Sequence, residues 1–277
     1  MFKIGIDVGG TFTDLVVLSD GQAPYLFKTH STPQDPSIGV ISGLNDVARS
    51  FAIPLSDLLA DTELIIHGTT VATNTLLERK GSKVGLITTD GFRDLLEMRE
   101  GMKEDRYNLR MKPLEPLVQR HLRLGVNERI RSNGEVVTPL SMTSLRNALD
   151  SLKKSGAESI AVCFLFSYLS PEHEKLAAQI IAEEFPGMYT SLSHQILPQI
   201  KEFDRLSTTV INSYVGPVFG QYLQQLKDRL TQLKHQRSIY IMQSNGGVAS
   251  IDASTQQAVR AILSGPAGGV SGASYYG

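Results

Sequence analysis

The sequence holds one cysteine and no tryptophan, and its basic and acidic side chains nearly cancel. A single thiol excludes a fold stapled by internal disulfides. Cys163 lies in the apolar run Ile160-Ala161-Val162-Cys163-Phe164-Leu165-Phe166, which reads as a buried strand with an inert thiol, because a nucleophilic cysteine needs an accessible, electropositive setting. A net charge of −1 leaves no electrostatic footprint for nucleic acid or a membrane surface. No apolar run approaches membrane-spanning length, and Met1 leads straight into strand-like residues instead of a secretory leader, so the expected location is the cytoplasm. Walker-type phosphate loops, His-Glu-x-x-His, paired Cys-x-x-Cys and Gly-x-Ser-x-Gly are also missing. What is present is a chain of 277 residues, 41% apolar and 20% charged, with room for one large or two ordinary domains.

Strand-like and helix-like patterns alternate along the chain, which gives an α/β class. Several elements are expected from the pattern. A helix over 71–80 is stopped by Gly81, and another covers 92–100. Residues 101–139, rich in charge, Pro and Gly, read as an excursion with short strands around Leu122-Arg123-Leu124 and Val136-Val137. A strand covers 189–195, and a long helix runs over 205–233 with a possible break at Gly216-Pro217. Pro171-Glu172-His173-Glu174 reads as a helix start whose acidic residues complement the dipole, and not as a metal site. Arg79 and Lys80 read as a solvated helix end.

Four loops carry candidate chemistry. In Ile6-Asp7-Val8-Gly9-Gly10-Thr11-Phe12-Thr13-Asp14, two strands flank a Gly-Gly turn. Glycine permits positive φ and close approach of amides to an anion, the threonines add hydroxyls, and Asp7 is placed to hold a metal ion or its waters. An ordinary hairpin turn would show the same glycines. In His67-Gly68-Thr69-Thr70-Val71-Ala72-Thr73-Asn74, a strand ends where a helix begins, so free amides and hydroxyls converge. Threonines and asparagine are poor helix formers, which suggests a task beyond packing, although a threonine N-cap beside a core histidine would look alike. Ser264-Gly265-Pro266-Ala267-Gly268-Gly269 sets small residues at a helix mouth, open to a flat ring or a ribose, or is a plain loop. Asn245-Gly246-Gly247 follows a strand, on the edge where α/β sheets bind ligands.

Taken in chain order the loops resemble the hydantoinase A/5-oxoprolinase family, which also includes the ATP-binding subunits of acetone and acetophenone carboxylases. The likeness extends to Thr88-Thr89-Asp90-Gly91-Phe92-Arg93-Asp94, to 205–217 and to Met242-Gln243-Ser244-Asn245-Gly246-Gly247, nearly the whole chain. The resemblance implies the two-lobed fold of actin, hexokinase and Hsp70: a ribonuclease H-like lobe with mixed sheets and flanking helices, here incomplete at the C-terminus. Residues 1–200 would form the first lobe and 201–277 the start of the second. It implies ATP and Mg2+, a companion large subunit, and phosphorylation-driven opening of a cyclic amide such as 5-oxoproline or a hydantoin. The ketone carboxylases use the same loops, and a sugar-kinase-like enzyme would share only the fold.

By the same resemblance, Gly9, Gly10, Thr11 and Thr13 bind phosphates and Asp7 holds Mg2+ through water. His67, Thr69, Thr70 and Asn74 line the reacting end, with His67 shuttling a proton near neutral pH. Asp14 orients the threonines or polarises the incoming group, while Asn245, Gly246, Gly247, Gly265, Gly268 and Gly269 border the nucleotide. The family's second phosphate loop, Asp-x-Gly-Gly-Thr-x-x-Asp, follows the Ser-Gly-Pro-Ala-Gly-Gly segment, and this sequence stops at Ser274-Tyr275-Tyr276-Gly277 before any such loop. The expectation is an N-terminal portion with little turnover by itself, the non-catalytic alternative being a remnant that binds a partner.

Overall fold

The computed structural model describes residues 1–101, 105, 107–112 and 114–276. By contact the chain divides into two units, Met1–Lys80 with Val218–Gly277, and Gly81–Pro217.

In the first unit, β1 (Phe2–Val8), β2 (Phe12–Ser19) and β3 (Tyr25–His30) form an antiparallel meander. β4 (Thr62–Thr69) runs parallel to β1, β11 (Ile239–Met242) parallel to β4, and β12 (Val248–Ser250) antiparallel to β11. The sheet order is β12-β11-β4-β1-β2-β3. β11 and β12 therefore lie in the sheet of β1, and the lobe boundary expected at residue 200 does not separate them from the N-terminal strands. Alternation along the strands buries Ile4, Ile6, Val8, Leu15 and Val17 on one face and turns Asp7 and Asp14 to the other.

The buried face receives α1 (Pro36–Ser50), capped by the Asp35 carboxylate, which accepts from Ser37 N, and started by Pro36. Val40, Leu44 and Val47 face inward, and Gly43 lets the helix come close: a Cβ there would sit 2.5 Å from Leu15 Cδ1. Short helices α2 (Leu55–Ala60), α3 (Val71–Leu77) and α9 (Ile251–Gln256) join the strands, and α10 (Ser264–Tyr276) packs on β4 and β11.

The second unit is built on a parallel sheet of β5 (Val84–Thr89), β6 (Arg123–Val126), β9 (Ser159–Cys163) and β10 (Tyr189–Leu192), ordered β10-β9-β5-β6. β5 and β9 are buried at every position, as central parallel strands are. β7 (Arg129–Ile130) and β8 (Val136–Thr138) form a separate hairpin. Helices α4 (Leu95–Met98), α5 (Met142–Lys154), α6 (Glu172–Glu184) and α7 (Ser193–Ile196) fill the connections. Cys163 is buried and desolvation pushes its thiol up to about 11, so it is unreactive as the sequence suggested.

Local physics departs from the sequence pattern at several places. The 101–139 segment is not wholly an excursion, since β6 is an edge strand of the main sheet; residues 102–104, 106 and 113 lie outside the described residues. The short strand expected around Leu122-Arg123-Leu124 is this β6, and its first residue, Arg123, is fully buried and donates to Glu97 at 2.7 Å. α3 ends at Leu77 with Arg79 at φ 53°, so Gly81 does not stop it; Gly81 is instead pressed against Tyr214. α4 is shorter than 92–100, and Arg99 at φ 56° ends it. β10 gives way to α7 at Ser193. Glu172 and Glu174 lie in the first turn of α6 as expected, and the buried Glu174 carboxylate does more than complement the dipole: it accepts from Phe164 N at 3.0 Å, Ser193 Oγ at 2.6 Å and His194 Nδ1 at 2.6 Å. Among the described residues no helix is long and apolar enough to cross a membrane.

The long helix, α8 (Glu202–Gln232), runs unbroken through Gly216-Pro217. A proline removes the N–H that the carbonyl four residues earlier would receive. Here the Ser82 hydroxyl donates to Ser213 O at 2.8 Å and replaces it. Ser82→Ala should lower stability by about 1–2 kcal/mol, since it strands a buried carbonyl. Urea unfolding reads this, and an unshifted midpoint would rule the replacement out.

Candidate functional site

The turn between β1 and β2 is closed by Gly9 N donating to Phe12 O at 2.9 Å. Neither Gly9 nor Gly10 has positive φ, so the left-handed conformation expected of the pair is not what it supplies. Gly9 supplies space instead: a Cβ there would lie 3.2 Å from Phe12 O. Among the described residues the Gly10 and Thr11 amides give no backbone hydrogen bond, and both residues are exposed. Two amides and a hydroxyl thus remain at the tip for an anion. Thr13 is not among those donors. It is fully buried on the α1 face, with Oγ1 3.0 Å from Ser31 Oγ, and Ser31 Oγ donates to Gly9 O at 2.8 Å. Ser31, which the sequence reading passed over, braces the turn.

On the opposite face of β1, Asp7 pairs in register with Asp14 across β2 and with Gly68 across β4. Gly68 makes room for the carboxylate, since a Cβ there would lie 3.0 Å from Asp7 Oδ1. Asp7, Asp14, Gly68, Gly265, Gly268 and Gly269 border one cleft of about 400 Å³. Asp7 keeps an exposed side chain, yet partial desolvation in the cleft first, then the charge of Asp14, raises its pKa above the usual carboxylate value. Asp14 does not orient the threonines; its carboxylate accepts from Lys28 Nζ at 2.9 Å. Gly265, Gly268 and Gly269 are within the first turns of α10, not in a loop. Leu263 N donates to Thr73 Oγ1 at 3.0 Å, tying this helix start to α3.

At the junction of β4 and α3 the predicted residues part company. His67 points into the interior, fully buried, with Nε2 2.6 Å from Tyr222 OH on α8. Desolvation lowers its pKa to about 4, so the ring is neutral at pH 7 and does not shuttle protons near neutrality. Thr69 is also buried, and its Oγ1 accepts from Val71 N at 3.2 Å. Thr70 Oγ1 donates to Val8 O at 3.3 Å and accepts from Asn74 Nδ2 at 3.2 Å. Thr70 and Asn74 border a second hollow, of about 410 Å³, together with Gly9, Gly10 and Tyr222. Asn245-Gly246-Gly247 forms the β11–β12 turn, with Gly246 at φ 81° and the Asn245 side chain accepting from Gly247 N at 2.9 Å. These three residues border neither hollow. Tyr222 and His67 are 155 residues apart, and nothing local in the sequence links them.

The buried imidazole has a pH signature. Once unfolded it binds a proton below 6.5, whereas the folded ring does so only near 4. Stability is therefore at its full value above 6.5 and falls by about 3 kcal/mol as the pH drops through this window. His67→Gln should flatten that slope in denaturation series run between the two values. An equally steep variant would place the acid sensitivity elsewhere.

Two family profiles match the chain, the hydantoinase/oxoprolinase N-terminal region over residues 3–185 and hydantoinase/oxoprolinase over 205–277. The caprolactamase α subunit of Pseudomonas jessenii is 39% identical over 268 residues, which is 96% of this chain and 38% of that protein. The crystal structure of that ATP-dependent caprolactamase superposes with a TM-score of 0.88, covering 96% of this chain and 39% of the other. Nucleotide-free acetone carboxylase superposes with a TM-score of 0.89 at 30% identity, covering 100% of this chain and 40% of the other. The 5-oxoprolinase of Saccharomyces cerevisiae is 31% identical over 98% of this chain and 23% of its own length. The chain thus spans about two fifths or less of the relatives it matches, and it has their actin/hexokinase-like fold. With both profiles matched in order along almost all of its length, the chain belongs to the hydantoinase/oxoprolinase family.

Proposed function

We propose that this chain is the nucleotide-binding part of an ATP-dependent cyclic amide hydrolase, working with a companion subunit. The observation that carries the reading is the convergence of Asp7, Asp14, Gly68 and the α10 glycines on one cleft, while at the tip of the hairpin that carries both aspartates the Gly10 and Thr11 amides give no backbone hydrogen bond among the described residues. In the reaction the amide oxygen attacks the γ-phosphorus of ATP and ADP leaves. One water then opens the activated ring, giving an amino acyl phosphate, and a second water hydrolyses that mixed anhydride to the free amino acid and phosphate. Lactam, ATP and two waters become amino acid, ADP and phosphate.

The chain's own residues have separate tasks in this scheme. Gly10 and Thr11 hold phosphate oxygens at the tip of the turn. Thr13 and Ser31 keep that tip rigid through Gly9 O. Asp7 and Asp14 are the donors for a cation. Two carboxylates suit a hard ion that keeps waters and phosphate oxygens as its remaining ligands. Magnesium held there would neutralise charge on the transferring phosphoryl group. A cation there would offset both causes of the raised Asp7 pKa, the desolvation of the carboxylate first and the charge of Asp14 second. His67 and Thr69 act from the interior, holding the β4–α3 junction against Tyr222, while Thr70 and Asn74 face the reacting end.

Calorimetry of Mg-ATP binding to the chain tests the reading. Asp7→Asn should weaken binding by about tenfold or more. The same change should raise the melting temperature at pH 7. A carboxyl whose folded pKa is raised costs stability wherever it is ionised, so the gain should fade as the pH falls toward 3.8. Undiminished binding in the variant would remove Asp7 from the site.

A further inference from the structure

The second hollow is a different chemical environment from the Asp7 cleft. Four carboxamides border it: Asn74 on α3, Gln34 before α1, and Gln221 and Gln225 one turn apart on α8. Among the described residues, no hydrogen bond engages the side chains of Gln34, Gln221 or Gln225. Its charged residues are Glu78 and Lys80, which pair with each other at 2.6 Å. The Tyr222 ring, Val71, Val218 and two prolines supply apolar wall. At about 410 Å³ it has the size of a small-molecule pocket, and Gly9 and Gly10 stand at its edge.

We propose that this hollow receives the acceptor substrate and selects a neutral lactam over one that carries a carboxylate. The inference rests on the function proposed above and specifies its substrate. In a lactam ring the amide is held cis, so its N–H and C=O lie on one edge. A primary carboxamide offers a donor and an acceptor side by side and meets that edge with two hydrogen bonds. The methylenes of the ring would lie on Tyr222, Val71 and Val218. A ligand carboxylate brings a full charge, which needs an uncommitted cation. Lys80 is engaged by Glu78, and no other cation borders the hollow among the described residues. Glu78 would repel the newcomer. The lactam oxygen enters next to the turn whose amides hold the phosphates, which is where an acceptor must stand for transfer.

The test compares 2-pyrrolidinone with 5-oxoproline, which differ by one carboxylate, as ligands for the 277-residue chain in ligand-observed NMR titrations. Mg-ATP binding is measured on the same samples. The expected result is binding of 2-pyrrolidinone at least about tenfold tighter than 5-oxoproline, with a further loss of about tenfold in the double variant Gln221→Ala/Gln225→Ala. Both glutamines are exposed on α8, so the variant keeps its fold, and its Mg-ATP affinity should be unchanged. Equal or tighter binding of 5-oxoproline, no lactam binding, or indifference to the double variant would each overturn the proposal. If Mg-ATP still binds in those cases, the wider functional reading survives. If nucleotide binding is lost as well, both fail.

Discussion

Everything at the site depends on the position of β1 between β2 and β4. Antiparallel pairing on one side sets Asp7 against Asp14, and parallel pairing on the other sets Asp7 against Gly68. Because side chains alternate, Asp7 and Val8 must face opposite ways, one toward a cleft and the other toward the packed side of α1. A shift of one residue in either pairing would bury the carboxylate and expose the core residues. The hydrophobic contacts of Ile4, Ile6, Leu15 and Val17 therefore hold the chemistry in place as firmly as they hold the sheet.

The turn at the end of this strand is rigid for reasons that do not involve glycine's left-handed freedom. A backbone bond from Gly9 closes it, and Thr13 with Ser31 braces it from the buried side. The glycines matter because nothing projects from them. Gly9 lets Phe12 O come close, Gly10 leaves the tip open, and Gly68 leaves room for the Asp7 carboxylate. The two hollows beside the turn then differ in character, one with paired carboxylates and glycines, the other with carboxamides and an aromatic ring. A neutral His67, tied to Tyr222, anchors the strand end behind them.

The second unit repeats the theme that buried polar groups are retained where they complete a backbone ladder. Ser82 completes the helix ladder at Pro217, and Glu174 collects amide and side-chain donors at the end of β9. Arg123 opens an edge strand from inside the core through its bond to Glu97.

Local sequence determined the alternation of β1 and β2, the Asp35-capped α1, the buried β5 and β9, and the inert Cys163, because these depend on side-chain period, capping chemistry and burial within one segment. It also marked Asp7, Gly10, Thr70 and the α10 glycines as residues of interest. Only the tertiary structure decided which of them share a cavity. Thr13 and His67 turned inward because strand alternation and a tyrosine 155 residues away claim their polar atoms, and the Asn245 turn borders neither hollow. Burial and hydrogen bonding between distant segments depend on how whole elements pack, and no short window of sequence carries that information.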